Sequence, residues 1–149
     1  YGDISNVLNH KGLEELYLNE CLFGLNFDKL ADNPSLKVLQ MKEVSLKKNI
    51  RVESYAGMTD IWYDDVSMDE HIQFLTHYPG LTELYLDGNQ LTSVGFAAEL
   101  KNLERLGIHN NYVTDLTPLN QAEKLRYLDV RENPINNTVQ ADDSVEILK

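Results

Sequence analysis

Apolar side chains recur along this chain in a fixed template of Leu, two residues, Leu, one residue, Leu. The opening positions are Leu13, Leu36, Met58, Leu81, Leu103 and Leu125, spaced 23, 22, 23, 22 and 22 residues apart. Three residues on come Leu16, Leu39, Ile61, Leu84, Leu106 and Leu128; five residues on come Leu18, Met41, Tyr63, Leu86, Ile108 and Val130. A column ten residues on holds Phe23, Leu46, Met68, Leu91, Val113 and Ile135. Two more columns run through the back half of each unit. One is Ile4, Phe27, Ile72, Val94 and Leu116, broken by Asn49; the other is Val7, Leu30, Val52, Leu75, Ala97 and Leu119.

Alternation at the second and third template positions predicts one short strand per unit, followed by a sharp turn and a returning segment. A single unit cannot bury its own apolar edge. Stacking sets each column against its copy in the next unit, at roughly 1.5–3 kcal/mol per buried large aliphatic side chain. The expected fold is therefore α/β: one domain over residues 1–149, with about six repeats starting near 13, 36, 58, 81, 103 and 125. These coil right-handedly into a curved solenoid with a parallel concave sheet and short helical or 3₁₀ segments on the convex side. Residues 68–75 and 94–102 have a partly helical pattern, and Asp115-Leu116-Thr117-Pro118-Leu119 reads as a 3₁₀ turn. Residues 1–12 read as the end of a preceding repeat or an N-terminal cap, and 136–149 as a C-terminal cap or a further repeat at Ile147. With Tyr rather than Met first, the chain reads as trimmed or cut from something longer.

The stretches LTELYLDGNQLTSV (81–94), LERLGIHNNYVTDLTPL (103–119) and LRYLDVRENPI (125–135) resemble leucine-rich repeat proteins. The resemblance is to the 22-residue subclass found in bacterial internalins and in protein-phosphatase regulatory subunits. It covers nearly the whole chain and implies the solenoid, while leaving the partner open, because this architecture hosts many functions. The family's eighth position is normally Asn, whose amide serves donors and acceptors of neighbouring turns. Asn89, Asn111 and Asn133 fit, whereas Cys21, Val44 and Val66 stand there in earlier units. The turns at Val44 and Val66 are therefore expected to be looser or satisfied by water. Cys21 falls in the same inward column and is expected to be structural rather than nucleophilic.

Alternate strand residues face away from the core, which gives three outward columns. These are Glu15, Val38, Asp60, Glu83, Arg105 and Tyr127; Tyr17, Gln40, Trp62, Tyr85, Gly107 and Asp129; and Asn19, Lys42, Asp64, Asp87, His109 and Arg131. The candidate partner surface comprises the aromatics Tyr17, Trp62, Tyr85 and Tyr127, the acids Asp60, Asp64, Glu83 and Asp87, and Arg105, His109 and Arg131. Aromatics among carboxylates suit a protein or peptide carrying Lys or Arg beside apolar groups. Around Trp62 a one-residue slip of Ile61-Trp62-Tyr63 would bury Trp and expose Tyr. Asp87 and His109 read as a cross-strand ion pair extended by Arg131, and Glu83 beside Arg105 repeats the design. The strands cover only about 300 Å² against roughly 800 Å² per partner in a standard interface. Loop residues such as Glu20, Glu43, Asp65, Gly88, Asn110 and Glu132 must then contribute as well.

Composition narrows the function classes. The 149 residues are 42% hydrophobic and 25% charged, values ordinary for a folded soluble domain. Thirteen Lys and Arg against 24 Asp and Glu give 13 − 24 = −11. That balance disfavours DNA, RNA and anionic lipid. The lone Cys excludes an internal disulfide framework and any zinc site with two thiolates. No apolar run reaches the ~18 residues of a membrane helix, and residues 1–12 lack a signal-peptide layout.

No Ser occupies the outward columns, so a Ser/His/Asp site is not expected there. Phosphate-loop and HExxH motifs are absent, and the run Asp60, Asp64, Asp65, Asp69 and Glu70 lacks calcium-loop spacing and reads as solvated charge. The sequon Asn136-Asn137-Thr138 matters only in a glycosylating secretory setting. The expectation is a non-enzymatic binding module with no catalytic residues, cofactor or metal, from a bacterial secreted or surface protein. The alternatives are an intracellular regulatory subunit or scaffold, or the recognition part of a larger enzyme.

Overall fold

The computed structural model describes residues 2–55, 58–139 and 144–149, with side chains described throughout these except at 49–52 and 54–63. A six-stranded sheet is built from β1 (Glu15–Asn19), β3 (Val38–Lys42), β6 (Glu83–Tyr85), β7 (Arg105–Gly107), β8 (Tyr127–Asp129) and β9 (Glu146–Leu148), in that spatial order. All its pairings are parallel. The register aligns Leu16, Leu39, Leu84, Leu106, Leu128 and Ile147 in one row, and Leu39 to Leu128 are fully buried. This is the α/β leucine-rich repeat solenoid that the period predicts.

Returning segments are short and mostly 3₁₀: Phe27–Lys29, Ile72–His77 after α2 (Met68–His71), Gly95–Glu99 and Thr117–Gln121 with Pro118 in its first turn. The 94–102 segment thus forms a 3₁₀ turn. In the N-terminal α1 (Ser5–Leu8), Leu8 is fully buried while Val7 is largely exposed. The apolar column there is carried by Leu8, not Val7, because this one helical turn sets its inward position one residue later.

The turn that follows each strand passes through a left-handed residue: Glu20 (φ 48°), Glu43 (50°), Gly88 (69°), Asn110 (53°) and Glu132 (56°). Their positions repeat the template. Asp65, the corresponding residue of the 58–66 segment, instead lies inside a strand.

That difference marks the main departure from the expected architecture. The segment starting at Met58 contributes no strand to the parallel sheet, and β3 pairs directly with β6. Instead β4 (Ser45–Tyr55) and β5 (Met58–Val66) form an antiparallel hairpin, joined to the solenoid where Ser45–Lys47 pair in parallel with β2 (Leu22–Gly24). Hence 36–80 is one coil carrying a hairpin, not two coils. Its 45-residue length from Leu36 to Leu81 equals two periods, so every downstream column stays in phase. The row of second-position residues is contiguous with Ile61 left out.

Among the described residues, the turns are held by an asparagine ladder. Asn111 Oδ1 accepts from the backbone N–H of Asn89 (3.0 Å) and Leu91 (2.9 Å), while its amide donates to the carbonyls of Leu86 (3.0 Å) and Ile108 (2.9 Å). Asn133 accepts from Val113 N–H at 3.0 Å. Asn89 reaches across the hairpin junction, accepting from Val44 N–H at 3.1 Å and donating to Met41 O. The Val44 turn is therefore closed by a protein amide rather than loose or water-filled, because removing the 58–66 segment from the stack brings Asn89 next to it. Val66 is not in such a turn at all; it pairs with Leu46 in the hairpin.

Candidate functional site

The solvent face of the parallel sheet carries three rows fixed by strand register. Glu15, Val38, Glu83, Arg105, Tyr127 and Glu146 form one; Tyr17, Gln40, Tyr85, Gly107, Asp129 and Leu148 form the next. Beside them lie Asn19 and Lys42, paired across β1 and β3, and Asp87, His109 and Arg131, which follow β6, β7 and β8. Asp60, Trp62 and Asp64 are absent from this face because β5 belongs to the hairpin. Period-two alternation is the same in a hairpin strand as in a solenoid strand, so the sequence pattern could not separate the two. The side chains of Asp60 and Trp62, and with them the register question around Trp62, lie outside the described residues; Asp64 is exposed opposite Lys48.

Tyr85 is the hub of the face. Its Oη donates to Glu83 Oε2 (2.9 Å) and accepts from Arg105 Nε (3.1 Å), and Arg105 lies 3.8 Å from Glu83. Burial, together with the Glu83 carboxylate, raises the Tyr85 phenol pKa, so it stays a protonated donor. The Arg105 guanidinium in turn sits 4.2 Å from the Tyr127 ring centroid, within cation–π range. Gly107 lies beneath the Tyr85 ring: a Cβ there would come 2.7 Å from Tyr85 Cδ1. Only a residue without a side chain lets the ring lie down at this place. A second Glu-x-Tyr pair repeats the motif at the sheet edge, where Tyr17 Oη donates to Glu15 at 3.0 Å and the ring is 54% exposed.

The expected Asp87–His109 pair does not form through the imidazole. Asp87 Oδ1 accepts from the His109 backbone N–H (3.0 Å), and Oδ2 pairs with Lys42 at 2.8 Å. The His109 ring instead faces Glu132 at 3.4 Å. Nor does Arg131 extend that pair; it turns back to its own strand, donating from Nε and Nη2 to the two oxygens of Asp129 at 3.0 and 2.7 Å. This contact holds the Asp129 carboxyl below the usual carboxylate range, outweighing the opposing effect of burial. Each sunken acid is drawn inward by neighbouring N–H donors that an outward-column reading does not see. Lys42, whose ammonium also lies 5.3 Å from the Tyr85 ring centroid, belongs to the site, though its charge alone gave no signal in the sequence.

Cys21 is half-buried and burial raises its thiol pKa, which leaves it a poor nucleophile. No helix among the described residues is long and apolar enough to cross a membrane.

A family model described as two copies of leucine-rich repeats matches residues 79–121. A leucine-rich repeat protein of Leptospira interrogans superposes with TM-score 0.58 at 21% identity, over 89% of this chain and 29% of that one. Internalin C2 of Listeria monocytogenes superposes with TM-score 0.51 at 20% identity, over 92% and 70% of the two chains. Another Listeria monocytogenes internalin gives TM-score 0.49 at 26% identity, over 92% and 46%. The chain thus spans less than half the length of two of these proteins. No curated protein matches it.

Proposed function

Because the chain is a leucine-rich repeat protein, we propose that it acts as a non-enzymatic binding module whose contact surface for a protein or peptide is the solvent face of its parallel sheet. Leucine-rich repeat proteins generally mediate protein–protein interactions, and such domains are typically non-enzymatic. The observation that carries the reading is the pre-ordered cluster of Tyr85, Arg105, Glu83 and Tyr127 on that face. Tyr and Arg held in one geometry lose little freedom on binding, which is what concentrates affinity in a few interface residues. The resemblance of residues 81–135 to internalin repeats supports a bacterial secreted or surface setting as part of the same proposal. A leader peptide in the full reading frame tests that part.

Peptides selected on the immobilised chain from a random display library test the surface itself. Tyr85→Ala and Tyr127→Ala should each weaken the selected peptides by about 2 kcal/mol, roughly thirtyfold. Tyr112→Ala, at an exposed tyrosine off the sheet face, should leave them unchanged. The reverse ranking places the contact surface elsewhere.

A further inference from the structure

The charges on the sheet face are layered by depth. The carboxylates of Asp87 and Asp129 are only 16% and 10% exposed, whereas the cations paired with them, Lys42 and Arg131, are 36% and 52% exposed. Arg105 is 44% exposed against 38% for Glu83. Over Asp87 and Asp129 a body approaching the face therefore meets the heads of Lys42 and Arg131 before the carboxylates paired with them, while Glu83 is nearly as open as Arg105 and Glu15, Glu132 and Glu146 stand exposed around them.

Arg105 is the most prepared of these groups. Its Nε donates to Tyr85 Oη, its Cζ lies 4.2 Å from the Tyr127 ring centroid, and the contacts it makes among the described residues leave both terminal amino groups open. A guanidinium presented in that way matches the two oxygens of a carboxylate. Its carboxylate neighbour among the described residues is Glu83, 3.8 Å from Nε. Lys42, Arg105 and Arg131 stand on or beside β3, β7 and β8, three strand steps from end to end, or about 14 Å. One carboxylate cannot reach all three.

We infer that the sheet face receives a protein segment bearing several Asp or Glu side chains beside apolar ones, with Arg105 as the carboxylate anchor. This deepens the proposal that the face is the binding surface and reverses the basic partner that the outward columns imply. The chain's net charge of −11 opposes approach at long range. Acids more than about 8 Å away are largely screened at physiological salt, so the groups in contact decide the preference.

The test is a 12-residue random display library selected on the intact chain, with the winners sequenced and titrated by fluorescence anisotropy. Winners should be enriched in Asp and Glu over the starting library. Changing their acids to Gln should weaken them by roughly tenfold, as should Arg105→Lys, which keeps the charge and loses the fork. Winners rich in Lys and Arg, or indifferent to Arg105→Lys, yet lost in Tyr85→Ala, overturn the partner chemistry and leave the binding face standing. Winners indifferent to both substitutions, or a selection that enriches nothing, overturn the face as well.

Discussion

Asn111 is the place where one substitution should cost most relative to the atoms removed. Asn111→Ala deletes an acceptor serving two backbone N–H groups and donors serving several carbonyls, in a residue only 3% exposed. Leu91, one of the two N–H owners, is fully buried, and Asn89 nearly so. At about 1–3 kcal/mol for each buried group left unpaired, the two N–H groups alone give roughly 4 kcal/mol. Asn133→Ala is the internal comparison. It strands one N–H, that of Val113, from a half-buried side chain, and should cost about 1–2 kcal/mol. Urea unfolding followed by circular dichroism measures both as shifts in midpoint at constant slope. A cost below about 1 kcal/mol at Asn111, or one no larger than at Asn133, would refute the argument that these amides hold the turns together.

Three further outcomes follow from the same structure. Replacing 49–63 by two glycines should preserve the parallel sheet and cooperative unfolding, because Lys48 and Asp64 are directly opposed and β3 already pairs with β6; loss of cooperativity would mean the hairpin is part of the spine. Tyr78→Phe should stabilise by about 1 kcal/mol, since the Tyr78 hydroxyl is fully buried with no hydrogen-bond partner among the described residues, and thermal unfolding reads the gain. Asp129, whose folded pKa is depressed chiefly by the Arg131 hydrogen bonds, contributes stability that is complete above its unfolded pKa of about 4 and disappears as pH falls through the lower folded value. Asp129→Asn should therefore flatten the acid limb of stability against pH, and an unchanged limb would show that the pair contributes nothing.

What the sequence makes legible is the burial of columns. Leu36, Leu81, Leu103 and Leu125, and the second-position leucines between Leu39 and Leu128, are buried as their spacing requires, because each must meet its copy one coil away. Asn89, Asn111 and Asn133 follow from the same spacing. What stays hidden is anything that preserves the period while changing the path. Met58, Ile61 and Tyr63 alternate as a solenoid strand would, yet Val44 and Val66 at the amide position, and Lys47 and Lys48 facing Asp65 and Asp64, are the marks of the hairpin. Depth on the sheet face is equally hidden. Asp87 and Asp129 occupy outward columns, and only the donors around them, His109 N–H and the Arg131 fork, show that they sink.

The hairpin between Ser45 and Val66 also bears on how such a molecule changes over generations. In a stack where each layer touches only its neighbours, a branch rooted in one layer leaves the others' contacts untouched. The hairpin is thus a site where residues can be gained, lost or exchanged while the spine keeps its shape, so new surface can be sampled without renegotiating the scaffold beneath it.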